Sequence, residues 1–158
     1  MTDIRVGHGF DVHPFSDDPD RPLVLGGVRF ENEAGLAGHS DADALAHACI
    51  DALVGAAGLG DIGTMFPDND PGLAGADSVE LLAKATTAVR DAGWTPGNID
   101  CTVVLEAPKL APRRDEMQNR LSTAVGASVT VKAKRAEGLG SLGRQEGIAC
   151  WAVALVTR

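Results

Sequence analysis

Apolar and polar positions change period several times along the chain, and each change marks an element. Arg5–Val12 (RVGHGFDV) alternates with the period of two that a strand shows. Leu23–Phe30 (LVLGGVRF) reads as a second strand, bent or bulged at Gly26–Gly27. From Asp41 to about Ala57 an Ala- and Leu-rich run reads as a helix. Ser40 is its expected N-cap, with Asp43 three residues on as a capping-box variant, and Gly58 and Gly60 stop it. Leu59–Gly75, dense in Gly, Pro and Asp, reads as a loop. Asp77–Ala92 is a second helix with Leu81, Leu82, Ala85 and Val89 on one face and Gly93 as its stop. Asn98–Leu105 reads as a strand, Ala107–Lys109 as a turn, and Pro112 sits in the first turn of a third helix ending at Val125. Ser128–Lys134 alternates as a half-buried strand, Gly138–Gly143 is a glycine-rich loop, and Gly147–Thr157 is a closing strand. No repeat or linker interrupts this series. Residues 1–158 therefore read as one domain of the α/β (α+β) class, a mixed sheet packed against three helices.

Composition narrows the function. Four Phe, two Trp and no Tyr leave few platforms for stacking bases, and a net charge of −8 opposes phosphate-backbone binding, so nucleic acid is excluded as a partner. No run approaches the roughly 20 apolar residues of a membrane span. The N-terminus has neither the basic nor the apolar region of a secretory signal, so a cytoplasmic location is expected. The three cysteines, Cys49, Cys101 and Cys150, are odd in number and set among apolar residues, and read as buried hydrophobes. Charge is split unevenly. Residues 1–80 hold 15 acids, three bases and all four histidines, while residues 81–158 hold seven acids and 11 bases. Metal-ligand types thus gather in the first half and phosphate-binding types in the second, although four histidines are few enough for chance to do this.

The candidate chemistry follows that split. Asp11 and His13, two apart on a strand, point to one face and can reach one cation, and His47 on the first helix can supply a third ligand. Such a set leaves a fourth position open, as a catalytic divalent ion requires, but an Asp-x-His pair is also common in purely structural roles. Asp43 stands one turn before His47, either orienting its imidazole or forming an ordinary exposed pair. His39 precedes the helix start, where an anion is favoured. Gly138-Leu-Gly140-Ser-Leu-Gly143 matches the dinucleotide glycine pattern, but a β-prone segment follows it instead of a helix, so that reading fails. Lys132, Lys134, Arg135 and Arg144 surround those glycines, and Glu137 among them can hold a hard cation against phosphate, unless the loop is simply solvated. No activated nucleophile is evident. Together the residues point to metal-assisted chemistry on a small phosphorylated molecule.

Longer blocks are more specific. Gly7-His8-Gly9-Phe10-Asp11-Val12-His13 and Gly38-His39-Ser40-Asp41-Ala42-Asp43 with His47 recur in order with Leu59-Gly60-Asp61-Ile62-Gly63 and Phe66-Pro67-Asp68-Asn69-Asp70. Gly75-Ala76-Asp77-Ser78, Ala107-Pro108-Lys109 and Gly143-Arg144-x-Glu146-Gly147 complete the series. The set resembles the 2-C-methyl-D-erythritol 2,4-cyclodiphosphate synthase family of the non-mevalonate isoprenoid pathway. The resemblance implies a homotrimer with its sheets facing the three-fold axis and active sites between subunits. It implies a phosphorus–oxygen lyase acting on 4-diphosphocytidyl-2-C-methyl-D-erythritol 2-phosphate. A 2-phosphate oxygen attacks the β-phosphorus, a cyclic diphosphate forms and CMP leaves. Both phosphates are anions, so catalysis must neutralise charge and align attacker with leaving group.

Residue by residue, the resemblance assigns Asp11, His13 and His47 to Zn²⁺ (or another divalent transition metal), with Asp11 and His13 also against substrate. It assigns Glu137 to Mg²⁺ or Mn²⁺. His39 and Ser40 match contacts to the phosphorylated methylerythritol. Asp61, Ile62 and Gly63, with Phe66, Pro67, Asp68, Asn69 and Asp70, match substrate loops, Asp61 at the cytidine ribose. Leu105, Glu106, Ala107, Pro108, Lys109, Leu110 and Ala111 match a cytidine-diphosphate pocket lent by a neighbouring subunit, and Lys134, Arg135, Ala136, Glu137, Ser141 and Arg144 complete the substrate set. Arg144 and Glu146 match a pair beside an axial cavity that in some members holds an isoprenoid diphosphate. Many members carry Thr-Thr-Thr-Glu where this chain has Lys134-Arg135-Ala136-Glu137. Arginine brings several donors and a full charge, so Arg135 is carried forward as a catalytic residue in place of the threonine, beside His39, which the resemblance implies. Ser141-Leu142 stands where an aromatic is common. The alternative is a non-catalytic diphosphate or isoprenoid-diphosphate binding module of the same fold, which would not need both cation sites.

Overall fold

A computed structural model describes residues 2–158. Its main sheet has four strands in the order β1-β6-β4-β5, where β1 is Ile4–Pro14, β4 Thr95–Val104, β5 Ser128–Lys134 and β6 Gly147–Thr157. β1 and β4 both run antiparallel to β6, and β4 runs parallel to β5, so the sheet is mixed. Three longer helices, α1 (Ala44–Ala57), α3 (Ser78–Asp91) and α4 (Arg114–Val125), pack together on one face of the sheet. The three helices are those expected from the periodicity, and the mixed sheet agrees with the expected fold class.

Several boundaries differ, each for a local reason. Leu23–Phe30 is a hairpin of β2 (Leu23–Leu25) and β3 (Val28–Phe30), because Gly26 and Gly27 both take left-handed φ, 58° and 72°, and close a two-residue turn. α1 is capped by Asp43, not Ser40. The Asp43 carboxylate accepts from Leu45 N and Ala46 N at 3.1 Å, and from the Gly26 and Gly27 N–H groups at 2.8 and 2.6 Å. Four donors outcompete the single Ala42 N–H that Ser40 Oγ accepts. The Leu59–Gly75 segment contains a one-turn helix α2 (Ile62–Met65) and a 3₁₀ turn at Pro71–Leu73, and the Gly138–Gly143 region contains another single turn, α5 (Gly140–Gly143). A 3₁₀ turn at Ala111–Arg113 takes up Pro112 before α4 begins.

Packing of α1 on β1 sets the position of everything that follows. Twelve of the 14 residues of α1 are buried, all but Asp51 and Gly55, so this helix runs through the core and not along its edge. Gly7 and Gly9 on β1 face it. A Cβ on Gly7 would lie 2.6 Å from Ala56 N, and one on Gly9 would lie 2.8 Å from Ala52 N. Glycine on the strand and alanine on the helix therefore let the two backbones touch. The opposite face of β1 and β6 is apolar yet open, with Ile4, Val6, Phe10, Val12, Trp151 and Val153 exposed and the Phe10 and Trp151 rings 5.1 Å apart.

Candidate active site

β1 leaves the core at its C-terminal end, and its inward positions change there from glycine to Asp11 and His13. The alternation that buries Gly7 and Gly9 turns these two side chains to the same helix, where His47 occupies the first turns of α1. His13 Nδ1 lies 2.7 Å, and His47 Nδ1 3.5 Å, from Asp11 Oδ2. One ligand atom from each of the three lies within 4.8 Å of the others. Among the described residues, Asp11 Oδ2 and His13 Nδ1 are buried with no hydrogen-bond partner. The two atoms lie 2.7 Å apart without hydrogen-bonding to each other, and a cation within reach of both would satisfy them. The donor set of two imidazoles and a carboxylate suits a tetrahedral divalent ion with an open position, whose ligand atoms stand about 3.3 Å apart. The residues fit a bound cation.

Electrostatics favour the same occupant. Burial pushes the Asp11 carboxyl up, but the two adjacent imidazoles outweigh it and hold the group below its usual range. Burial pushes the His47 ring down, and Asp11, Asp43 and Asp41 outweigh that and raise it. Asp43 does not orient the His47 ring as the spacing suggested, nor is it exposed. It is fully buried in its capping role, and its contact with His47 is the helical bond from His47 N to its own carbonyl. The ring partners are instead Ser40 Oγ, 3.1 Å, and Ser78 Oγ, 2.9 Å, from His47 Nε2.

The trio opens into a cleft of about 510 Å³ lined by Gly38, His39, Ser40, Ile62, Gly63, Phe66, Pro67, Asp68 and Asn69, among others. His39 Nε2 donates to the Asp70 main-chain carbonyl at 2.8 Å, which leaves its Nδ1 uncommitted. Asp61 caps α2 by accepting from Thr64 N and Oγ1 at 2.7 Å, and these bonds hold its carboxyl below the usual range. Asp51 on α1 accepts the Ile62 N–H at 2.7 Å, tying this loop to the core. Leu73 and Leu81 also line the cleft. Sequence reasoning gave no role in the site to Leu73, Asp51, Asp41 or Ser78, and placed Leu81 only on the apolar face of its helix, although Asp41 and Ser78 lay inside blocks already quoted.

A second, smaller cavity of about 230 Å³ is lined by Leu105, Glu106, Pro108, Lys109, Leu110, Ala111, Arg114, Ala133, Lys134 and Arg135. It shares no lining residue with the first. Glu106 Oε2 accepts from Arg135 Nε at 3.0 Å and Nη2 at 2.9 Å, and Glu106 Oε1 accepts the Gly138 N–H at 3.2 Å. The Gly138 N–H and then the guanidinium lower the Glu106 carboxyl, and Arg135 keeps its Nη1 free. Ala107, Ala136, Glu137 and Ser141 are outside this lining, with Glu137 exposed at a φ of 55° beside the same turn. The expected basic cluster is partly dispersed. Lys132 pairs with Asp100 at 2.5 Å across the sheet, and Arg144 pairs with Glu146 at 2.6 Å.

Known proteins share both sequence and shape with this chain. A 2-C-methyl-D-erythritol 2,4-cyclodiphosphate synthase of Thermosynechococcus vestitus is 53% identical over 159 residues, covering 99% of this chain and 98% of that one. One of Bordetella petrii is 55% identical over 158 residues, covering 98% and 96%. Among solved structures, the bifunctional IspDF from Campylobacter jejuni superposes with a TM-score of 0.93 at 41% identity, covering 99% of this chain and 43% of its own. A CDP complex of IspF from Plasmodium falciparum superposes with a TM-score of 0.82 at 33% identity, covering 97% and 95%. With residues 4–157 matched by the model of the YgbB family, the chain belongs to that family.

Proposed function

We propose that this chain is a 2-C-methyl-D-erythritol 2,4-cyclodiphosphate synthase, a phosphorus–oxygen lyase. The observation that carries the reading is the convergence of Asp11 Oδ2 and His13 Nδ1, buried and unpartnered, with His47 in an open cleft. In the reaction a 2-phosphate oxygen of 4-diphosphocytidyl-2-C-methyl-D-erythritol 2-phosphate forms a bond to the β-phosphorus. The bond from that phosphorus to the bridging oxygen breaks, and CMP leaves with the electron pair. Asp11, His13 and His47 would hold Zn²⁺ or a similar transition ion, which would supply positive charge to phosphate oxygens, and Glu137 would hold Mg²⁺ or Mn²⁺.

The protein's own groups do the positioning. His39 lines the cleft and is held by its bond from Nε2 to the Asp70 carbonyl, which leaves Nδ1 to meet the phosphorylated polyol. Glu106 holds Arg135 by Nε and Nη2, which leaves Nη1 as a donor to charge developing on phosphate oxygen. Lys109 and Lys134 line the same cavity as the cytidine-diphosphate subsite.

The two cavities are separate within one chain, which supports a site completed by a second copy. The uncovered apolar face of β1 and β6 supports a homotrimer with that face toward its axis. Arg144 and Glu146 belong to the axial region in this reading, beside room for an isoprenoid diphosphate. No helix among the described residues is long and apolar enough to cross a membrane, and a cytoplasmic location belongs to the same proposal.

³¹P NMR of the protein with substrate, Zn²⁺ and Mg²⁺ tests the function. Release of CMP with a coupled pair of cyclic-diphosphate resonances is expected. Unchanged substrate with a folded, Zn²⁺-loaded protein would refute it and leave a binding module.

A further inference from the structure

We propose that Asp41 and Ser78 are positioning residues that lock the His47 imidazole with its hydrogen on Nε2, so that the Nδ1 lone pair is always presented to the cation. The inference rests on the cation-site reading above. It follows from counting hydrogens.

Ser78 Oγ lies 2.5 Å from Asp41 Oδ1, and the Ser78 N–H points to Asp41 Oδ2 at 3.2 Å. A carboxylate only accepts, so the single hydroxyl hydrogen of Ser78 is committed to Asp41. His47 Nε2 sits 2.9 Å from that same Oγ. With the hydroxyl hydrogen directed elsewhere, two lone pairs would face each other unless Nε2 itself carries a hydrogen. Ser40 Oγ, 3.1 Å from Nε2 and 3.2 Å from Ser78 Oγ, accepts the Ala42 N–H and can donate its own hydrogen to Ser78. Every donor then has an acceptor. Ser78 is fully buried and Ser40 and His47 are each 8% exposed, so water does not relieve a mismatched pair here. Asp41 is pinned in turn, its N–H donating to the Ala76 carbonyl. The remaining ring nitrogen, Nδ1, is bare and is the atom that faces Asp11.

Long-range ¹H–¹⁵N spectra of the metal-free protein at alkaline pH read the tautomer, and chelator competition reads Zn²⁺ affinity. Wild type is expected to show a hydrogen on His47 Nε2. Asp41→Ala frees the Ser78 hydroxyl to donate to Nε2, which moves the ring hydrogen to Nδ1. Zn²⁺ affinity then falls by about 10- to 100-fold. Ser78→Ala loses the preference, and Ser78→Thr, which keeps the hydroxyl, restores spectrum and affinity. A space-filling role for Ser78 would leave the tautomer unmoved. Wild type with its hydrogen on Nδ1, or Asp41→Ala and Ser78→Ala with wild-type spectra and affinity, would overturn the proposal. If Asp41→Ala does not fold, the wild-type spectrum decides alone. A wild-type protein that binds no Zn²⁺ would sink the cation reading, while its spectrum would still judge the tautomer.

Discussion

Gly9→Ala tests whether the site depends on the backbone contact between β1 and α1. The added methyl would lie 2.8 Å from Ala52 N and closer still to the Ala48 carbonyl. Ordinary contact begins at 3.4 Å, so the helix must withdraw by at least about 0.6 Å to clear Ala52 N, and by more to clear the nearer Ala48 carbonyl. Both neighbours are backbone, and no side chain can swing aside. Overpacking of this kind costs about 1–3 kcal/mol. A domain of this length melts about 2–4 °C lower per kcal/mol, so Tm should fall by about 2–12 °C. His47 immediately precedes Ala48 on the displaced turn, and metal sites tolerate ligand errors of only about 0.2 Å. Zn²⁺ affinity should therefore drop at least about tenfold. Calorimetry of the metal-free protein and chelator competition measure the two effects. Gly55→Ala is the control: it sits on the same helix with nothing within 4 Å of a new Cβ, and should gain about 0.5–1 kcal/mol. A Gly9→Ala protein that melts and binds Zn²⁺ as wild type does would refute the contact argument.

Asp43→Ala removes a cap and strands the buried Gly26 N–H, and should cost about 2–4 kcal/mol in urea unfolding. Burial raises the Asp43 carboxyl from 3.8 to about 6. Between those values the folded chain keeps a proton that the unfolded chain has released, so this group's contribution to stability shrinks as pH rises. The stability gap between wild type and Asp43→Ala should accordingly be wider below pH 3.8 than above about 6; a gap that widens with pH contradicts this. Arg135→Ala should lower kcat by about 10²-fold with Zn²⁺ content unchanged, and an unaltered kcat would remove Arg135 from catalysis. The Cys101 thiol 3.3 Å from Cys49, together with burial, raises Cys49, and burial raises Cys150, so native thiols should resist a disulfide reagent while urea exposes all three. Rapid labelling of the native chain would show that the core opens there.

The shared face of Asp11 and His13 was legible because a period of two is a local rule, and the structure keeps it. What joins Asp11 and His13 to His47 was not. Gly7 and Gly9 look like motif letters until the alanines of α1 are laid on them, since a close approach belongs to two segments at once. The cap was misread for a similar reason. Ser40 and Asp43 are both good caps in isolation, and the choice was made by the Gly26 and Gly27 N–H groups arriving from another element. Asp41 and Ser78 escaped notice because their role lies in where one hydroxyl hydrogen goes, and spacing along a chain carries no record of that. The short helices α2 and α5 span a single turn each, too little for a period to register.

The neighbour of β1 in the sheet is β6, paired in register from Ile4 with Thr157 to Pro14 with Gly147. β6 also supplies the antiparallel partner of β4. The strand that stands between the other two in space is thus the last element in chain order. β1 can meet α1 early in synthesis, but its strand partner is made only after every intervening element. Contacts this distant in sequence carry a large loop-closure entropy and form slowly. Asp11 and His13 are borne on β1, so the sheet that carries them is closed by its pairing most distant in sequence.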